Sequence, residues 1–224
     1  MPNLRWRIAQ WLELKWWKRY LKPKHPDKYL AWKRQYWYDF LHQLSGYLPL
    51  QTPNSSKVIN ALDAGCGPAG IFTALPANNW AVTAIDPLLN KYANELPHFN
   101  PNQWPNVRFE TNTIENMQYE ACFEVVFCLN AINHVTNIDN AVDKLVQSLQ
   151  PNGCLVMSID AHNYRFWRWL FRKIPADVLH PHQYNLKEYQ NLLSQRGIIL
   201  KASVLLQKNY FFNYYVLVGY KTAN

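Results

Sequence analysis

Gly65, Gly67 and Gly70 stand at G-x-G-x-x-G spacing, behind an apolar run from Val58 to Ala64 and ahead of apolar Ile71, Phe72 and Leu75. A buried strand, a glycine turn and a helix, in that order, build a pocket for a nucleotide-like ligand. Glycine lets the backbone turn sharply and lets a ligand approach where a Cβ would collide. Two carboxylates flank the turn. Asp63 lies two residues ahead of Gly65, and Asp86 closes the next apolar run, Ala81 to Ile85, where it can accept hydrogen bonds from two ribose hydroxyls. Asp63 suits a ligand with a cationic amino-acid end and would repel a pyrophosphate. Pro68 likewise removes one backbone N–H from the turn in which a pyrophosphate would need donors.

Groups able to move a proton come later in the chain. Asn130, Asn133 and His134 follow the fourth strand pattern. Asp160, His162, Tyr164 and a basic aromatic stretch (Arg165 to Lys173) lead to His180-Pro181-His182. A histidine titrating near neutrality can take the proton of an acceptor hydroxyl, so His180 and His182 are candidate bases, with His134 a third. Asp160 with His180 and His182 offers an alternative, a divalent metal site. It is the weaker reading, because two histidines around one proline rarely point the same way, and no metal is assigned. A polar loop bonded to itself would explain the same residues, and His134 reads equally well as a structural histidine. The loop after the fourth strand lacks the Asp/Asn-Pro-Pro-aromatic motif that holds a planar amide or amine.

The elements that must position these groups alternate. Strand patterns lie near 58–63, 81–85, 106–110, 123–129 and 154–159, with helical patterns near 69–76, 88–95 and 138–149. This alternation predicts right-handed crossovers and a mostly parallel sheet covered on both faces. Asn185 and Glu188 form a capping box opening a last helix that Gly197 closes. Two β-rich runs follow, Ile198–Leu206 and Tyr210–Tyr220, separated by three residues; so short a connection forces an antiparallel pair. The fold class is therefore α/β: a Rossmann-like, mostly parallel seven-stranded sheet with a C-terminal antiparallel pair.

Residues 1–50 read as a helical lid or cap, separated by the polar linker 51–57 from a domain spanning 51–224. One helix pattern carries Ile8, Leu12, Trp16 and Tyr20 among many cations, and a second runs from Leu30 to Leu44. Three readings stay open for them: packing on the core with solvated cations, walling a substrate pocket, or lying on a membrane surface. The last is weakest, because Trp11, Trp16 and Trp17 do not gather on one clean face.

At 224 residues and 49% hydrophobic, the chain suits one domain with a sizeable core. A net charge of +8 leans towards anionic partners. Four cysteines in or beside apolar runs, with no CxxC pair, read as reduced thiols in a cytoplasmic protein. No stretch is long enough to cross a membrane as a helix, and the early charges are scattered where a secretory leader needs an unbroken apolar core.

Leu62-Asp63-Ala64-Gly65-Cys66-Gly67-Pro68-Ala69-Gly70 resembles the first motif of class I S-adenosylmethionine-dependent methyltransferases, and Ala84-Ile85-Asp86-Pro87 resembles their second. Thr113-Ile114-Glu115-Asn116-Met117, Phe123 to Val126, Asn133-His134-Val135 and Leu149 to Gly153 extend the likeness over about 58–160. The resemblance implies S-adenosylmethionine as cofactor. It places Gly65, Cys66 and Gly67 against the methionine part and Asp63 near its amino group, with Asp86 and Pro87 at the ribose. Thr113 and Ile114 would border adenine, and Asn130 closes the site. The family often has Asp where this chain has Thr113, so Asn112 is the substitute partner for the adenine amino group. The implied activity is methyl transfer to a small-molecule acceptor with an aromatic or anionic character, most readily at a hydroxyl or carboxylate oxygen. RNA methylation and a non-catalytic regulatory role are the alternatives; nucleic acid is disfavoured because no RNA-binding module is appended.

Overall fold

A computed structural model describes residues 4–48, 57–162, 184–210 and 212–223. Two helices come first, α1 (Leu4–Leu21) and α2 (Pro26–Gln43). Pro26 suits the first turn of α2, where its missing N–H costs nothing. Then follow β1 (Ile59–Ala64), β2 (Trp80–Ile85), α3 (Leu89–Glu95), β3 (Val107–Glu110), β4 (Phe123–Cys128), α4 (Ile138–Ser148) and β5 (Leu149–His162). The described chain ends with α5 (Leu186–Ser194), β6 (Ile198–Lys208) and β7 (Phe212–Lys221).

The seven strands form one sheet in the order β3-β2-β1-β4-β5-β7-β6. β1 through β5 pair parallel, while β7 runs antiparallel to both β5 and β6. The chain reverses direction across the sheet between β1 and β4, the switch point at which open α/β sheets hold ligands.

Strand period divides the core into two layers. Ala61, Val82, Ala84, Val125 and Phe127 face one side, where they bury with Leu14 and Leu21 of α1 and Trp37 and Phe40 of α2. Their neighbours Leu62, Ile85, Val126 and Cys128 face the other, against Ala141, Val142 and Leu145 of α4 and Tyr189 and Leu193 of α5. Both later helices start on side-chain caps. The Asn137 side chain accepts from the Asn140 amide at 3.1 Å, and Asn185 and Glu188 exchange bonds of 2.8 Å in the expected capping box.

One expected element differs. The helix predicted near 69–76 is instead two single turns of 3₁₀ helix, Gly67–Ala69 and Ile71–Ala74, broken by extended backbone at Gly70. The break brings the Phe72 amide to 3.2 Å from Asp63 Oδ2. A Cβ at Gly70 would stand 2.4 Å from that same oxygen, so the third glycine of the motif makes room for Asp63.

Candidate functional site

The turn after β1 is fixed from below. The amides of Gly65 and Cys66 donate to the Ile85 carbonyl at 2.8 and 3.1 Å, tying the turn to the end of β2. Gly65 and Gly67 take φ of +73° and +57°, a region that disfavours any Cβ. At Gly65 there is also no room: a Cβ would meet that of Ala131, in the loop after β4, at 2.3 Å. The two loops of the switch point thus touch through a missing side chain.

Asp86 stands across from this turn. Its Oδ1 accepts from the Leu88 amide at 2.8 Å and its Oδ2 from the Gly67 amide at 3.0 Å. Burial, and then the neighbouring Glu13 carboxylate, push its pKa up to about 7 despite both bonds. Asp63 is also buried, and its pKa too is pushed up to about 7, by burial first. Its carboxylate accepts from the amides of Phe72 and Ile71 rather than lining the open space.

The open space is a half-open cleft at the carboxyl ends of β1, β2 and β4. From the expected set it is lined by Gly65, Asp86, Pro87, Asn112, Thr113, Ile114, Asn130 and His134. The expected Asp63, Cys66 and Gly67 are not among its lining residues. Cys66 is a buried thiol with its pKa raised by burial, and the space over Gly67 is taken by the Trp17 ring, 3.6 Å from where a Cβ would be. Asn112 turns back on its own strand end, its Oδ1 accepting from the Thr113 amide at 2.9 Å. His134 is exposed at the cleft edge on the single turn Ile132–His134.

Asn130 holds the left-handed conformation at φ +55°, which asparagine tolerates better than most residues. Its amide donates to Ser158 Oγ at 2.7 Å, linking the ends of β4 and β5. Asn133 serves the frame: its Oδ1 accepts from the Tyr189 hydroxyl at 2.7 Å and its Nδ2 donates to Asp160 at 3.3 Å. His180, His182, Tyr164 and the basic aromatic stretch 165–173 lie outside the described residues, as do residues 51–56 of the linker.

Trp6, Gln10 and Glu13 of α1 were not foreseen, and they line the cleft beside Asp86. The Glu13 carboxylate is 3.4 Å from both the Tyr92 hydroxyl and the Gln10 amide nitrogen, and burial raises its pKa. Glu13 is the sole acid in the 18 residues of α1 and falls on the stripe of Gln10 and Trp17. That was the available signal, a lone acid on the inner face of a basic helix.

A second, shallower hollow lies between α2 and the β6–β7 pair and is lined by Tyr36, Phe40, Gln43 and Tyr214 among others. The Tyr214 hydroxyl is buried near Ser158, Asn130 and Tyr36, and burial holds its phenol well above the ordinary range. Asn130 therefore stands between the two spaces. Among the described residues no group of histidines, cysteines and acids could hold a metal, and no helix is long and apolar enough to cross a membrane.

Residues 62–155 match the family model described as a methyltransferase domain. The "Ubiquinone biosynthesis O-methyltransferase" of Rickettsia canadensis is 33% identical over 105 residues, covering 47% of this chain and 44% of that protein. Its counterpart in Rickettsia felis is 34% identical over 105 residues, covering 47% and 43%. The chain thus spans less than half the length of these curated relatives. Among solved structures, a Burkholderia thailandensis N1-methyltransferase of 1,6-didemethyltoxoflavin, with that compound and S-adenosylhomocysteine bound, superposes at a TM-score of 0.58 with 17% identity, covering 88% of this chain and 91% of that one. The [4+2]-cyclase SpnF superposes at 0.62 with 12% identity, covering 83% and 81%. These likenesses establish the fold, and a cyclase among them shows that the fold does not fix the reaction.

Proposed function

We infer, for a chain whose residues 62–155 match the model of a methyltransferase domain, that it is a class I S-adenosylmethionine-dependent methyltransferase that transfers a methyl group to an oxygen of a small-molecule acceptor. The observation carrying this reading is the cleft at the β1/β4 switch point, with Gly65 held against Ala131 and two carboxylates, buried Asp86 and half-buried Glu13, facing inward. Two carboxylates would repel a pyrophosphate; they accept hydrogen bonds from a ribose diol and attract a cation, so the residues present fit this cofactor. When bound, S-adenosylmethionine supplies an electrophilic methyl on a cationic sulfur.

On this reading Asp86 and Glu13 hold the ribose side, and Thr113, Ile114 and Asn112 border the base. α1 roofs the cleft with Trp6 and Gln10, excluding water, so the segment 1–50 acts as a lid. The acceptor lies beyond Asn130, in the hollow between Tyr36 and Tyr214, where an aromatic body stacks on tyrosine. His180 or His182, in the segment after β5, takes the acceptor's proton, with His134 the further candidate at the cleft edge. Oxygen as the atom methylated is supported by the names of the Rickettsia relatives. A cytoplasmic location is supported by four free cysteines.

Calorimetry with S-adenosylmethionine and S-adenosylhomocysteine tests the donor. Asp86→Ala is expected to weaken binding by about a hundredfold or more, through loss of hydrogen bonds to a buried charge. A chain that binds neither compound would end the reading. For the base, His180→Ala and His182→Ala should lower kcat while leaving donor affinity intact, and two fully active variants would remove both histidines from the proposal.

A further inference from the structure

The chain's charge is not spread evenly. Residues 1–48 hold ten lysines and arginines against three acids, a surplus of seven in a chain whose whole excess is eight. The inner face of α1 is taken up by the cleft and the core through Gln10, Glu13, Leu14 and Trp17. Its outer face carries exposed Arg7, Lys15, Arg19 and Lys22 around Ile8, 43% exposed, and Trp11, 50% exposed, with Lys15 Nζ 3.7 Å above the Trp11 ring.

A ladder of rings continues this surface on to α2. Trp16, 53% exposed, stacks on Tyr20 at 4.8 Å; Tyr20 meets Tyr29 at 6.3 Å, and Tyr29 meets Trp32, 52% exposed, at 5.9 Å. Trp17, which clouded the pattern in the sequence, is turned inward over Gly67. Where the two helices meet, an open surface hollow is lined by Lys24, His25, Lys28, Tyr29 and Trp32, and the buried Tyr29 hydroxyl has no hydrogen-bond partner among the described residues.

A face that only needed solvation would carry cations without half-exposed indoles. Indole rings sit most favourably where one edge is apolar and the other wet, and lysine and arginine stems reach past them to phosphate. We propose that the outer faces of α1 and α2 dock on an anionic lipid bilayer, with Trp11, Trp16 and Trp32 in the headgroup region and the surrounding cations on lipid phosphates. Charge complementarity selects the anionic surface. Ile8 beside Trp11 favours lipid over nucleic acid, since an aliphatic side chain offers a base nothing to stack on. The proposal does not rest on the methyl-transfer reading, because α1 and α2 lie outside residues 62–155.

The test is co-sedimentation of the full chain with phosphatidylcholine vesicles, with and without phosphatidylglycerol, and with inorganic phosphate and bulk RNA as competitors. Binding is expected only with phosphatidylglycerol, weakening as salt rises. Lys15→Gln, Arg19→Gln and Lys22→Gln together should weaken it about a hundredfold, at about fivefold for each cation near an anionic leaflet. Tryptophan quenching by brominated lipid in the unaltered chain checks insertion without any variant, and it should fall when Trp11, Trp16 and Trp32 become Ala. Four results would overturn the proposal: no binding to either vesicle, equal binding to both, complete displacement by inorganic phosphate, or a preference for RNA. So would concentration-dependent dimerisation abolished by the tryptophan variant in a chain that ignores vesicles.

Discussion

Asp86 at the end of β2 and Glu13 on α1 share one desolvated space, so each makes ionising the other harder. The sign follows from the raised values. A carboxyl with a folded pKa above its unfolded one contributes stability that is full below the unfolded value and is lost as pH rises to the folded value. For Asp86 and Asp63 that window runs from the ordinary carboxyl value of 3.8 to about 7. The protein without donor is therefore expected to lose thermal stability between pH 4 and 7, and Asp86→Asn should flatten the loss in a melting series. A cationic donor favours the ionised pair, so its binding should release protons near pH 6 and tighten towards pH 8. Calorimetry in two buffers of different ionisation enthalpy reads that release directly, and Glu13→Gln should diminish it. Gly65→Ala combines a φ of +73° with a 2.3 Å collision. It is expected to cost about 1–3 kcal/mol in a denaturant titration and to impair donor binding.

At the scale of elements, the N-terminal helices are fastened to the glycine turn by identifiable bonds. The Trp37 indole donates to the Ala69 carbonyl at 2.9 Å, and Arg34 Nε donates to the Thr73 carbonyl at 3.1 Å. Lys18 pairs with Glu95, which pins α1 on α3. Trp37→Phe keeps the ring but leaves a buried carbonyl without its donor. A loss of about 1–3 kcal/mol is expected by chemical denaturation, with weaker donor binding, because the turn and α2 shift together. At the other end, α5 depends on its capping box, and Asn185→Ala should lower stability by about 1 kcal/mol with donor affinity unchanged, since the cap bonds only Glu188 and neither residue lines the cleft. The contrast between the two variants separates a helix fastened directly to the glycine turn from a helix start that touches no residue of the cleft.

Across the whole molecule, the four cysteines are free, three of them buried and Cys122 exposed. A thiol reagent should modify Cys122 quickly in the native state and the other three only after unfolding, which a time course with and without denaturant would show. The seven-stranded sheet, its antiparallel end, the helix near 138–149 and the helix start at Asn185 were legible in the sequence because each depends on local matters: residue periodicity, a connection too short to cross over, a capping side chain. The same holds for Gly65, Gly67 and Asp86, whose spacing along the chain already implies a strand, a turn and the next strand's end. The rest depends on distances between residues far apart in the chain. Glu13 reaches Asp86 because α1 packs across the top of the sheet, and Asp63 faces the Phe72 amide because the following segment breaks into two turns at Gly70. Asn130 meets Ser158 only because β4 and β5 are neighbours. Sequence alone determined the sheet and the glycine turn, since those arise from short-range periodicity and backbone freedom. Tertiary packing decided which carboxylates face the cleft and which tryptophans face outward, since a side chain's direction is set by what the opposite element leaves unfilled.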